Sequence, residues 1–471
     1  MAGILAYGAY VPPGRLDRAA IGATLGQLAG RSSRSVASHD EDSTTLGVEA
    51  ARVALRRTTA GPPSRVVFST ATPTYLDRTN AAVVHAALDL DPGTAAYDFG
   101  GAPRSGVGAL ATALDGNETT LVVAADIRTG LPGSADEISG GDAGVAFLVG
   151  PGDCVADLVA HAAVTAEFLD RWRVPGQRHS RQWEDRFGQA SYLPPAQQAI
   201  EQVLKSAGVT REDVATVVVA GLHERARGAI AKSLGAAASP VSDSVGNPGT
   251  AQPGLLLAEA LDDARPGDLI LLVTLADGAD ALLLRATDAL EKSRTWPSLS
   301  QTVPQATRDV PYPTFLTWRG MLDREPPRRP DPEPPSPPVS ARHAAWKFAF
   351  VAGACPSCGT RHLPALQTCM SCGHPGDMEP LPLADTRGSV VTYTVDRLTY
   401  SLSPPVIAVV VDFDGGGRFQ TELTDASADE VAIGDRVEMS FRRFFQASNG
   451  IANYFWKARP VREEPTRGDG V

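Results

Sequence analysis

Cysteine is scarce in this chain, five among 471 residues, which argues against a disulfide-built secreted scaffold. Long apolar runs are missing too. No stretch reaches about 18 uninterrupted apolar residues, the length a membrane-crossing helix needs. The opening Met1-Ala-Gly-Ile-Leu-Ala-Tyr-Gly8 shows neither a basic leader nor a cleavage-like site behind an apolar run. The expectation is a cytoplasmic protein with no membrane partner. Basic charge is in deficit, 43 Lys and Arg against 54 Asp and Glu, so the net charge is −11 and the basic stripe of a nucleic-acid binder is absent. A local patch can still hold a small anionic ligand. The rest is ordinary for a globular chain: 43% hydrophobic and 21% charged residues bury several cores, and the length suggests about three domains.

Residues 1–288 alternate strand-length apolar runs with helix-length segments, the pattern of an α/β core. Thr120-Leu-Val-Val-Ala-Ala-Asp126 leading to Gly141–Gly150 resembles Asp268-Leu-Ile-Leu-Leu-Val-Thr274 leading to Asp277–Leu284. Arg65–Ala71 likewise has a counterpart in Thr216–Gly221. These pairs predict two related halves, about 1–155 and 156–288, although unrelated α/β strands also look alike. Between 289 and 340 the periodicity fades, and Pro326–Pro338 holds eight prolines in thirteen residues, which favours a stiff extended linker. The alternative is a loop wrapped over one large domain and anchored by Phe315, Trp318 and Trp346. Residues 385–462 read as five short strands with a Gly415-Gly-Gly417 hairpin, which suits an OB-fold barrel.

In the intervening 341–384 segment, Cys355-Pro-Ser-Cys358-Gly and Cys369-Met-Ser-Cys372-Gly form two knuckles whose four thiolates predict a closed, structural Zn²⁺ site in a zinc ribbon. Iron in a rubredoxin-like site is the chemical alternative. His362 and His374 lie close by, as surface or outer-shell groups rather than ligands. Cys154 stands alone and reads as a partly buried inert thiol.

The ribbon and barrel together, residues 310–460, resemble the DUF35 family, whose members accompany thiolase-superfamily enzymes. The first 290 residues resemble the thiolase superfamily, nearest to 3-hydroxy-3-methylglutaryl-CoA synthase and ketoacyl synthase III. The matching segments are Asp40-Glu-Asp42 with Val48-Glu-Ala-Ala-Arg52, Ala71-Thr-Pro73, Val122-Val-Ala-Ala-Asp126 with Gly141-Asp142, and Ser244-Val-Gly-Asn247-Pro-Gly-Thr250 with Gly254-Leu255. The resemblance implies a duplicated five-layered thiolase-like fold, a homodimer through that domain, and coenzyme A as part of the substrate. It places the family histidine on His223 and the asparagine on Asn247, as donors to a thioester oxygen. The nucleophile departs from the pattern: in Gly101-Ala-Pro103-Arg-Ser-Gly106 the cysteine position holds Pro103, and shifting the alignment reaches Arg104 or Ser105 but no cysteine. The family's general-base Glu falls at Thr70 or Ala71. Condensation through an acyl-cysteine is therefore not expected, and aldol-type chemistry on an acyl-CoA is. Ser105, Tyr75 and Tyr192 are candidates for the hydroxyl proton, and Arg104 for an acid group or CoA phosphate. The alternatives are a non-catalytic subunit that feeds acyl-CoA to another thiolase-like or acyl-carrier protein, and an acyltransferase without a covalent intermediate.

Overall fold

The computed structural model describes residues 2–27, 30, 32–293, 296–305, 307–328 and 332–461. Its most apolar runs form strands covered on both faces, which is why they read as continuous rather than alternating. In chain order these are β1 (Gly3–Tyr10), β2 (Arg65–Thr70), β3 (Ala95–Gly100), β4 (Thr120–Ile127), β5 (Asp142–Gly150), β6 (Ala156–Thr165), β7 (Thr216–Gly221), β8 (Leu269–Leu275) and β9 (Gly278–Ala286). Hydrogen bonding orders them β7-β8-β9-β6-β1-β5-β4-β2-β3. Only Gly3↔Asp157 and Ile4↔Ala156 join β1 to β6. Outward from that seam, β1-β5-β4-β2 repeats in β6-β9-β8-β7 with the same parallel and antiparallel sense. The edge strand β3 has no counterpart among the described residues of the second half, where the chain passes from a helix ending at Leu234 to another starting at Pro240.

Five helices complete the layers: α1 (Ser43–Arg56), α2 (Arg104–Leu114), α3 (Asp185–Ala207), α4 (Glu224–Leu234) and α5 (Gln252–Asp263). Helices α2 and α5 lie between the half-sheets, where Val107, Leu110, Leu255 and Leu261 share one core with Phe147, Leu272 and Leu282. Helix α1 covers the outer face of the first half and α3 with α4 that of the second. The close approach of α2 to the loop before α5 requires Gly106, because a Cβ there would lie 2.1 Å from the Thr250 carbonyl oxygen.

The 289–340 segment is a free spacer only in part: residues 308–318 pack on the α/β domain, while residues 322–326 are exposed. Arg308–Asp309 adds a parallel strand beside Gly14–Asp17. In the helix Tyr312–Trp318, Tyr312 and Phe315 are buried against Leu16, Ile21 and Val36. Burial of two aromatic side chains, roughly 2 kcal/mol each, outweighs the preference of the flanking prolines for extension. Trp318 Nε1 donates to the Leu402 carbonyl at 3.0 Å, and Pro337 opens a helical turn, Pro337–Arg342.

The C-terminal strands β10 (Gly388–Asp396), β11 (Val406–Phe413), β12 (Arg418–Leu423), β13 (Arg436–Gln446) and β14 (Ala452–Pro460) close a barrel in the order β10-β11-β12-β14-β13. The barrel is docked on the α/β domain. Arg442, fully buried, pairs with Glu41 at 2.7 Å, Asp425 at 2.7 Å and Asp40 at 3.4 Å. Lys457 reaches Asp40 at 3.1 Å, and Arg52 of α1 donates to the Met439 carbonyl at 2.9 Å. The Asp40-Glu-Asp42 segment thus serves as the barrel's seat. No helix among the described residues is long and apolar enough to cross a membrane.

Candidate active site

Strand β3 ends at Gly100, Gly101 turns with φ 97°, and Pro103 precedes α2 with φ −56° and ψ −31°. Proline is tolerated at a helix start because the first N–H groups have no intrahelical partner. A cavity of about 980 Å³ opens here, lined by Thr70–Tyr75, Gly100–Pro103, Arg128, Arg171–Arg178, Tyr192 and Leu275–Asp277, with Gln446 reaching in from the barrel.

His223 and Asn247 meet at the end of β7. His223 caps α4: its Nδ1 accepts from the Ala226 N–H at 3.1 Å, which puts the proton on Nε2, and Nε2 donates to the Asp185 carbonyl at 3.1 Å. Asn247 Nδ2 donates to the Gly221 carbonyl at 3.0 Å, and its Oδ1 accepts from the Gly249 N–H at 3.0 Å. Both side chains hold loops, and neither is among the residues lining the cavity.

Arg104 is not free to bind a substrate acid, contrary to expectation. Its Nε donates to Asp280 at 2.8 Å and its Nη1 to the Asp277 carbonyl at 2.7 Å and Thr165 Oγ1 at 3.0 Å, so it ties α2 to the second half-sheet. Ser105 Oγ donates to the Gly100 carbonyl at 3.0 Å and has no basic side chain as partner among the described residues, so none of them activates it for the expected catalytic use. Tyr75 accepts from the Ala452 N–H at 2.8 Å, a barrel contact. Burial pushes the Cys154 thiol up, and its Sγ meets the Gly150 carbonyl at 3.4 Å, which fits an inert thiol. At the position of the family's Glu, Thr70 Oγ1 and the Ala71 N–H both donate to buried Asp126 at 2.8 Å.

Residues between β6 and α3 supply what the sequence reading missed. Asp170 is 6% exposed, and burial raises its carboxyl above the usual range. The Tyr192 hydroxyl hydrogen-bonds to it, and burial followed by the Asp170 charge holds the phenol protonated well above its ordinary range. Gly188 of α3 makes room for the group: a Cβ there would lie 2.3 Å from Asp170 Oδ1 and 2.6 Å from His223 Nε2. Arg171, Arg173 and Arg178 stand on the same connection and line the cavity. Their cluster in an acidic chain was the available signal, but the segment has no periodicity to place it.

The four knuckle cysteines place their Sγ atoms within 4.8 Å of one another, with Cys355–Cys372 at 3.7 Å and Cys358–Cys369 at 3.6 Å. A tetrahedron with metal–sulfur bonds of about 2.3 Å has edges of roughly 3.8 Å, so the set fits one ion. Gly359 and Gly373, at φ 72° and 73°, make the two turns. His362 Nε2 lies 3.3 Å from Cys369 Sγ, an outer-shell contact.

Residues 382–442 match the family described as the ChsH2 C-terminal OB-fold domain. Over 309 residues the chain is 30% identical to the hydroxymethylglutaryl-CoA synthase of Thermococcus gammatolerans, covering 62% of this chain and 88% of that protein. It is 27% identical over 344 residues to the hydroxymethylglutaryl-CoA synthase of Methanothermobacter thermautotrophicus, covering 68% and 99%. A crystal structure of HMG-CoA synthase complexed with CoA aligns with a TM-score of 0.57 at 17% identity, over 67% of this chain and 89% of the other, a likeness of fold.

Proposed function

Because this chain belongs to the hydroxymethylglutaryl-CoA synthase family, we propose that it acts on a CoA thioester, making or breaking a carbon–carbon bond by aldol-type chemistry without an acyl-cysteine. The observation that carries this reading is Pro103 at the mouth of α2, where a nucleophile would stand, beside a cavity lined by Tyr192, whose hydroxyl hydrogen-bonds to buried Asp170.

In the cleavage direction, the substrate's β-hydroxyl gives its proton to the Tyr192 oxygen while the Tyr192 proton moves to Asp170. The Cα–Cβ bond breaks, its electron pair enters the thioester enolate, and a carbonyl product leaves. The enolate carbon then takes the proton back. His223 and Asn247 donate to the thioester oxygen as charge develops there, which asks the His223 ring to leave the Asp185 carbonyl when substrate binds. The knuckle ion is zinc, whose role in a four-thiolate site is structural. Ribbon and barrel are of the DUF35 kind, and the α/β domain forms a homodimer, for which Tyr97, 55% exposed on the unpaired edge of β3, supplies surface.

A second reading, a non-catalytic subunit of a thiolase-like complex, draws support from the backbone hydrogen bonds of His223 and Asn247. Turnover assays with β-hydroxyacyl-CoAs, followed by intact-mass spectra, separate the two. Turnover with no adduct supports the aldol reading. A stable acyl adduct on Cys154 or Ser105 overturns it, and no turnover with any such thioester favours the subunit.

A further inference from the structure

Lysine is rare in this chain, five residues against 38 arginines. Lys205, Lys232 and Lys292 are exposed, and the other two are held within the fold in opposite surroundings. Lys457, 3% exposed, lies between two carboxylates, Asp40 at 3.1 Å and Glu422 at 2.7 Å, which keep it an ammonium. Lys347 is half-buried in the short helix Ala344–Ala349 and has no carboxylate partner among the described residues. Its Nζ donates to Asn453 Oδ1 on β14 at 2.9 Å and to Ser340 Oγ in the Pro337–Arg342 turn at 3.1 Å.

The count of donors decides which form of Lys347 fits. An ammonium carries three N–H donors, a neutral amine two and a lone pair. The two acceptors at this site are both uncharged, so the neutral amine satisfies them and keeps its lone pair. The ammonium would gain no counter-charge for the hydration that half-burial removes. Burial accordingly lowers the Lys347 amine below the ordinary lysine range. The Phe348 ring, its centroid 5.8 Å from Nζ, favours the cation, with an attraction weaker than that of a carboxylate.

We infer that Lys347 is an acylation site, whose amine takes an acyl group from a CoA thioester. The Nζ lone pair attacks the thioester carbonyl carbon, and the C–S bond breaks with its electron pair going to sulfur. One amine proton passes through solvent to that sulfur, so the products are an Nε-acyl-lysine and the free CoA thiol. No oxidant or further reactant is needed. The donor belongs to the class of molecule on which the proposed reaction acts, but attack from solution requires no turnover. The product amide keeps a single N–H, so either Ser340 or Asn453 loses its donor and the tie between the Pro337–Arg342 turn and β14 is cut. Asn453 adjoins Ala452, whose N–H donates to Tyr75 on the cavity wall at 2.8 Å, so the modification falls beside a contact of the barrel with that cavity.

The test incubates the full-length protein with acetyl-CoA at mildly alkaline pH and follows each lysine over time by peptide mapping. Lys347 should gain its acetyl group roughly threefold or more faster than the exposed Lys205 and Lys232, because more of its amine is unprotonated. Asn453→Asp, nearly isosteric, sets a carboxylate against the amine and should bring Lys347 down to the rate of the exposed pair or below it. Should that variant not fold, Ser340→Asp places the same charge from the turn. Lys347→Arg should remove the fastest-forming adduct from the intact-mass spectrum. If Lys347 reacts no faster than Lys205 and Lys232, the inference is overturned. It is overturned equally if Lys347 is fast but the added carboxylate leaves its rate unchanged, since accessibility rather than the two neutral hydrogen bonds would then set the rate. None of these outcomes bears on the proposed carbon–carbon chemistry, which acetylation from solution does not use.

Discussion

In the proposed reaction, Asp170 and Tyr192 form the residue pair on which the chemistry turns. A base must be ionised to work, and burial raises Asp170, so turnover should fall on acidification at a pH above that of an ordinary aspartate. That acid limb should vanish in Asp170→Asn, whose rate, like that of Tyr192→Phe, is expected to drop by roughly 10²-fold. Steady-state pH profiles of the three proteins check this. Gly188→Ala should lower the rate too, because its Cβ would intrude on both Asp170 and His223. Cys154→Ala should leave the rate nearly unchanged, and a loss comparable to that of the Tyr192 variant would return a role to the thiol.

At the scale of elements, the seam between α1 and the barrel is electrostatic at its core. Burial pushes the Glu49 carboxyl up, but Arg52 and Arg459 outweigh burial and hold it down at about 2. A carboxyl depressed in the folded state stabilises the fold above its unfolded pKa of about 4.5, and that contribution is lost as pH falls toward 2. Thermal unfolding should therefore show a midpoint that drops steeply between about pH 4.5 and pH 2, with a smaller drop in Glu49→Gln. Arg442→Met should cost roughly 3–5 kcal/mol, because it takes the cation from the buried Glu41 carboxylate and leaves Asp40 to Lys457 alone. Urea titration measures it, and a loss below about 1 kcal/mol would mean that water enters the seam.

For the whole molecule, metal removal distinguishes a structural ion from a catalytic one. Chelation should release one zinc per chain and lower the melting temperature of the ribbon and barrel while acyl-CoA binding in the α/β cavity persists, since the ribbon's cysteines are not among the residues lining that cavity. Loss of both together would tie the ribbon to the site.

The amino-acid sequence alone determined what local chemistry can determine. Four thiolates at Cys-x-x-Cys spacing with glycine after each pair specify a knuckle wherever they occur, and apolar runs of strand length specify buried strands. Pro103 states in one residue that no cysteine stands at the position the resemblance assigns to the nucleophile. Tertiary structure decided what depends on groups far apart in the chain. Arg104 looked available until Asp280, 176 positions away, claimed its guanidinium. His223 and Asn247 could be placed at one strand end, but not their backbone partners. The fading periodicity after residue 288 predicted a spacer, because nothing local shows that Tyr312 and Phe315 find a pocket built by Leu16, Ile21 and Val36. Asp170 and Arg128 acquire their character only from the burial and charge that the folded chain puts around them. No periodicity encodes such an environment, since it is a sum over neighbours that the chain brings together only by folding.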